Sequence, residues 1–276
     1  MTVSEFMTIV WEYYRASGRS MPWRNPETDG SFDPYKIMVS EIMLQQTQVP
    51  RVIDKFNQCI RSFPNVASLA DASLGDILRV WQGLGYNRRA KYVHQAAQKI
   101  MTDFGGVFPT DIPSLTSLPG VGINTAGAIM TYAYNKPVIF IETNIRTVLI
   151  HHFFADQEVV SDAQMIPILR ECVGSLEGES STHSYREWYW AMMDYGAYLK
   201  RTVGNKSRSS SIYTKQSTFS GSRRQVRGSV LRILAEKPVT IKELLRLIDD
   251  ERLASVLDDL EAERMIKQED NCYSLA

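Results

Sequence analysis

Cysteine is scarce: Cys59, Cys172 and Cys272 are the only three in 276 residues, and they form no CxxC pair. That spacing excludes a disulfide framework, offers no metal-ligand cluster and suits a reducing compartment. Long apolar runs are also missing, since none approaches the roughly 20 residues that span a bilayer. The opening MTVSEFMTIVWEYY carries acids where a secretory signal carries bases. A soluble, intracellular protein with no membrane partner is expected. Net charge is absent as well, with 31 Lys+Arg against 31 Asp+Glu, so composition alone names no nucleic-acid partner. Alternating strand patterns are nearly absent before residue 200.

What is present is helical. The chain is long enough for one large or two modest domains, and 44% of it is hydrophobic. Apolar residues recur at helical spacing in VSEFMTIVWEYYRAS, PYKIMVSEIMLQQTQVPRVIDKFNQCIRSF, LGDILRVWQGLG, RRAKYVHQAAQKIMTDF, NTAGAIMTYAY, NIRTVLIHHFF and REWYWAMMDYGAYLKR. Prolines and glycines punctuate the breaks, so residues 1–204 read as a mainly α domain. His151 and His152 lie on an apolar helix and read as satisfied core or surface groups. Residues 205–222 hold seven serines in eighteen positions and read as a flexible basic linker. Residues 223–276 follow as three short helices and a pair of strands around Glu269, Asp270 and Asn271, with Thr240 and Glu243 as a capping box. That order resembles a winged helix. Charge is unevenly spread: eight basic and no acidic residues lie between Lys200 and Arg227, whereas 249–263 carries seven acids and one base. The acidic helix would repel DNA, so this segment is expected to dock on protein or on the basic linker, or to meet DNA only through Arg223, Arg224 and Arg227.

LPGVGINTAGAI, residues 118–129, places Gly120 and Gly122 in one turn around Val121 and then returns to helix formers. Glycines let the backbone turn sharply and approach another molecule. The helix that follows aims unpaired N–H groups and its positive dipole end outward, a setting suited to phosphate. A tight hairpin with glycines for packing alone fits the same residues.

The surrounding motifs bear on the choice between these readings. LPGVG–x–x–TAGAI resembles the helix-hairpin-helix signature of the base-excision DNA glycosylases, the superfamily that includes endonuclease III and MutY. PWR at 22–24, PYKIMVSEIMLQQTQV at 34–49, GLGYNRRAK at 83–91 and WAMMDYGA at 190–197 are similar to MutY motifs in the same order. The resemblance covers residues 1 to about 200. It implies a two-lobed helix-hairpin-helix glycosylase fold, with a six-helix lobe over about 23–134 and a second lobe from 1–22 plus 135–204, followed by the winged-helix-like domain. It further implies a monomer acting on double-stranded DNA, cytoplasmic and nucleoid-associated, or nuclear in a eukaryote.

Breaking an N-glycosidic bond needs an anion beside the sugar and an acid near the departing base. Glu41, in the apolar stretch KIMVSEIMLQ, occupies the position of the MutY general acid. Glu142, in VIFIETNIRTVL, stands where the family has its essential aspartate, at a helix start whose dipole favours the ionised form. The extra methylene leaves three readings open: an adjusted pocket, an altered substrate, or a weakened catalyst kept for lesion or mismatch binding. Asn144 matches the family. At Asn124 the lyases of the superfamily carry a lysine, so the resemblance implies a monofunctional enzyme; Asn124 then either helps select the extruded base or simply starts a helix. Gln46 and Tyr86 match residues that fill the gap left by a flipped base. Arg88, Arg89 and Lys91 are expected at phosphates, and Arg24 at the base pocket. Adenine is the first expected target, and thymine or uracil opposite guanine the next. Most relatives follow MMDxGA with four cluster-binding cysteines, which are missing here, so no iron–sulfur centre or other cofactor is expected. The basic residues from Lys200 to Lys215 that stand there instead are expected to add phosphate contacts.

Overall fold

The computed structural model describes residues 1–177, 184–215 and 218–276. Its helices are α1 (Val3–Ser17), α2 (Pro34–Leu44), α3 (Val49–Ser62), α4 (Val66–Asp71), α5 (Leu74–Trp81), α6 (Arg88–Asp103), α7 (Ile112–Thr116), α8 (Ile123–Tyr134), α9 (Thr143–Phe153), α10 (Asp162–Gly174), α11 (Tyr185–Thr202), α12 (Arg223–Glu236), α13 (Ile241–Leu247) and α14 (Leu253–Ala262). Strands β1 (Val239–Thr240), β2 (Ile266–Glu269) and β3 (Cys272–Leu275) form one antiparallel sheet in the order β1-β3-β2. The protein is mainly α with a small C-terminal sheet.

The chain forms two compact units, one of residues 1–37, 110–116 and 122–215, the other of 38–109, 117–121 and 216–276. In the first, aromatic residues build the core. Phe6 meets Trp188 and Phe153 edge-on, and Phe140 stacks on Tyr189 at 4.2 Å. Thr2 and Ser184 close capping boxes on α1 and α11, satisfying helix N–H groups that would otherwise be unpaired.

In the second unit, the apolar faces of α3, α5 and α6 bury Val52, Phe56, Ile77, Leu78, Trp81, Val93 and Ile100. The C-terminal segment packs directly on α5. Gly75 N–H donates to Ala276 O at 2.7 Å, and Gln82 Nε2 donates to Leu231 O at 3.4 Å. Thr240 caps α13 as the T-x-x-E pattern predicts, and Asp270 and Asn271 turn the β2–β3 hairpin with φ 48° and 63°.

Two expectations change. The stretch from Pro34 to Phe63 is not one continuous helical run, because α2 ends at Leu44 and α3 begins at Val49, with Gln46 in the left-handed region at φ 57°. Nor is 205–222 a bare linker: Lys206–Ser209 forms a 3₁₀ turn, Ser207 and Ser210 are buried, and Val160 N–H donates to Ser209 O at 2.8 Å. Burial of these small serines costs little because the backbone beside them pairs with Val160.

Candidate active site

In the first unit the site is built at the start of α9. Glu142 is the N-cap, with extended backbone (φ −101°, ψ 170°), and its side chain makes no capping hydrogen bond. The carboxylate therefore stays available for other chemistry. Burial raises its pKa above the ordinary carboxylate range, opposed by the positive charges of Lys200 and Arg146. The helix-dipole expectation of a readily ionised acid is thus outweighed by desolvation. Arg146 is itself held by Asp162 at 2.7 and 2.8 Å.

Two asparagines flank this carboxylate in the sequence and are both anchored. Asn124, on the first turn of α8, accepts from Ile141 N–H at 3.4 Å through Oδ1, which ties α8 to the segment leading into Glu142. Asn144 Oδ1 accepts from Lys200 Nζ at 2.8 Å. The glycine of WAMMDYGA has a steric purpose here: a Cβ on Gly196 would run into the backbone of Asn144, so only glycine lets α11 lie this close to α9.

Arg24 is fixed in the same unit. Its Nη1 and Nη2 donate to Asp194 at 2.9 and 2.8 Å, and its guanidinium lies 5.3 Å from the centre of the Trp190 ring. Asp194 is fully buried and also accepts from Arg19. Arg24 was expected at the base pocket; its outer nitrogens are instead committed to Asp194, while Nε is buried without a hydrogen-bond partner.

The second unit carries the residues expected to face the duplex. Glu41 is half-buried on α2 among buried Val39, Ile42 and Met43. Gln46 is exposed, Tyr86 is half-exposed, and both adopt positive φ, 57° and 48°. Non-glycine residues rarely hold that conformation, and it is held at both expected wedge positions. Arg89 explains how. Its Nη1 donates to Ile42 O, Met43 O and Gln45 O (2.9, 2.6 and 2.5 Å), and its Nη2 to Thr47 Oγ1 and Gly85 O (2.9 and 3.0 Å). One guanidinium thereby closes the end of α2 and joins the turn at Gln46 to the turn at Tyr86. Arg89 is buried, with its pKa pushed down to about 10 by burial, so it braces the turns at Gln46 and Tyr86 and is not exposed at the surface where a phosphate would lie. Arg89→Lys is expected to destabilise the protein by about 3 kcal/mol, because an ammonium cannot reproduce the planar fork. Chemical denaturation checks this, and a loss under about 1 kcal/mol would contradict the bracing role.

Gly120 needs to be glycine twice over, having φ 79° and a Cβ direction that points at Tyr92 only 2.8 Å away. Gly122 has ordinary backbone and open space where its side chain would be, and it is exposed. Val121 has a buried side chain and spends its N–H on Leu118 O at 3.1 Å, which leaves it a packing residue of the turn. Gln45 Nε2 donates to Gly120 O at 3.1 Å and ties the hairpin turn to the end of α2. Arg88 and Lys91, expected at phosphates, meet Glu263 beyond α14: Arg88 Nη2 donates to its carboxylate at 2.5 Å and Lys91 Nζ to its carbonyl at 2.6 Å. Arg224 Nη1 donates to the Tyr86 hydroxyl at 2.9 Å.

Glu41 and Glu142 belong to different compact units. Sequence reasoning missed Arg146 and Asp194 and placed Lys200 at phosphates. Their partners lie 16 to 175 positions away along the chain, and no local pattern shows that.

Against known proteins, residues 39–171 match the model of the HhH-GPD superfamily base excision DNA repair protein. An adenine DNA glycosylase of Mycobacterium tuberculosis is 35% identical over 262 residues, covering 88% of this chain and 82% of that protein. An adenine DNA glycosylase of Buchnera aphidicola is 33% identical over 200 residues, covering 72% of this chain; the chain spans 54%, about half, of that relative's length. A thermostable thymine-DNA glycosylase structure superposes with TM-score 0.58 at 22% identity, covering 71% of this chain and 86% of the other, a likeness of fold.

Proposed function

Since the chain belongs to the HhH-GPD superfamily of base excision DNA repair proteins, in its adenine-glycosylase (MutY-like) branch, we propose that it is a monofunctional DNA N-glycosylase. It acts as a monomer on double-stranded DNA and takes adenine as its first target, with thymine or uracil opposite guanine next. The observation that carries this reading is the uncapped Glu142 carboxylate at the N-terminus of α9, within the field of Lys200 and Arg146. As the C1′–N bond breaks, the electron pair leaves with the base, Glu41 delivers a proton to that base, and Glu142 stabilises the positive charge left on the sugar. Water then adds to C1′ and releases a proton to solvent, from which the Glu41 carboxylate is reprotonated, and an abasic site is left. Asn124 has no amine to form an imine, so the strand is left intact.

Gln46 and Tyr86 fill the gap when the base is extruded. Gly122 and the first turn of α8 receive a phosphate, as the open space at Gly122 supports. Four thiolates would be needed for an iron–sulfur cluster of the kind most relatives carry. Cys59 and Cys172 are buried thiols pushed up to about 12 by burial, and Cys272 lies on β3, so the three cysteines do not fit one. The winged-helix-like C-terminal segment keeps Arg223 on Asp259 and Arg227 on Glu263, leaving Arg224 as its link to the wedge loop and the exposed Asp258 and Glu261 for a protein partner.

A panel of duplexes, each with a single mismatched or damaged base, tests the reading under single-turnover conditions. Strand scission is expected only after alkali, with no covalent adduct trapped by borohydride. Scission without alkali together with a trapped adduct would contradict the monofunctional assignment, and no abasic product from any duplex would favour a binding protein that has lost its chemistry.

A further inference from the structure

We propose that Lys200 is a positioning residue for base excision, whose ammonium fixes Asn144 and serves as the counter-charge of the Glu142 carboxylate. The proposal rests on the reading of Glu142 given above.

Three features of the fold converge on this lysine. Gly196 and Lys200 are one turn apart on α11 and so share a face, and at Gly196 that face lies so close to Asn144 that no Cβ would fit. Lys200 Nζ then donates to Asn144 Oδ1 at 2.8 Å. Asn144 sits two residues after Glu142, in the first turn of α9. A lysine is here turned inward, half-buried, onto the turn that carries the catalytic carboxylate.

An ammonium brought out of water is costly unless a negative charge answers it. Asn144 supplies only a neutral carbonyl oxygen. The negative group felt by Lys200 is Glu142, acting through space without a direct ion pair: burial lowers the lysine to about 8, and Glu142 opposes that shift. The other charged group facing Glu142 is Arg146, whose guanidinium is shared with Asp162 at 2.7 and 2.8 Å. Of these two cations, Lys200 is the one not committed to another carboxylate among the described residues. Without it, burial would protonate Glu142 over more of the working pH range, and a neutral acid cannot stabilise a cationic sugar.

The test compares wild type, Lys200→Met, Lys200→Arg and Glu142→Gln on a duplex that the wild type cleaves, with single-turnover rates from pH 5 to 10, duplex affinity and melting temperature. Lys200→Met is expected to lose about 10- to 100-fold in rate at neutral pH with duplex affinity kept. Its acid limb should move up by about one pH unit. The wild-type rate should fall again as Lys200 loses its proton near pH 8. Lys200→Arg, whose guanidinium stays charged, should restore most of the rate and keep it above that pH. Should Lys200→Met fail to fold, the alkaline limb of Lys200→Arg decides alone. Variant profiles that superimpose on the wild type, with Glu142→Gln inactive, overturn this proposal alone. A wild type that cleaves nothing, or a fully active Glu142→Gln, overturns the glycosylase reading and this proposal with it.

Discussion

Replacing Glu142 by glutamine is expected to lower the single-turnover excision rate by about 10²- to 10³-fold or more while leaving duplex affinity intact. The substitution keeps the size and shape of the side chain and removes the charge. Its companion, Glu142→Asp, measures how well the pocket is fitted to this residue. Retracting the carboxylate by one methylene moves it by more than about 1 Å, and a misplacement of that size costs on the order of 10²-fold. A pocket built around glutamate therefore loses rate with aspartate. A gain in rate would instead mark the native enzyme as weakened by its own glutamate. Measured side by side, rate and affinity separate a chemical role from a binding one, because a residue that only grips DNA would lose both together.

The second large effect concerns Asp194. Its carboxylate is fully buried and accepts from the Arg19 backbone, Arg19 Nε and both outer nitrogens of Arg24, with Arg19 Nη2 a further ion-pair contact at 2.7 Å. Asp194→Asn would leave two guanidinium groups without their counter-charge, one of them with only 8% of its side chain exposed. Breaking such a buried pair costs about 3–5 kcal/mol. In a chain of this size the melting temperature should drop on the order of 10 °C. A shift of only a degree or two would mean that water reaches these groups and that Asp194 is not the counter-charge on which the two arginines depend.

How much of this was readable beforehand follows from the range of each interaction. The hairpin was legible because one determinant is local, the positive φ of Gly120, whereas its contact with Tyr92 is not visible in the neighbouring residues. The C-terminal hairpin and the cap at Thr240 were legible for the same reason, since both are set within a few residues. Arg89 was misread because a sequence displays its charge and hides its burial; three residues after Tyr86, it looks like any basic residue on a helix face. The ionisation of Glu142 was read from its helix start, and the stronger influence, desolvation, comes from packing that the local sequence does not show. Lys200 lay in a run of basic residues, and nothing in that run marks the one that turns inward onto Asn144, 56 positions earlier. The break between α2 and α3 falls at Gln45–Gln48, four polar residues with no glycine, and the helical apolar spacing on either side does not mark it as a turn.

The catalytic role of Glu142 depends on where its carboxylate stands relative to the reacting sugar. A crystal structure of the protein bound to a duplex with a non-hydrolysable nucleotide measures that directly. The extruded deoxyribose is expected to lie with its C1′ about 3–3.5 Å from a carboxylate oxygen of Glu142. An extruded nucleotide whose sugar is met by other residues, with Glu142 turned away from it, would contradict the assignment of this carboxylate to catalysis.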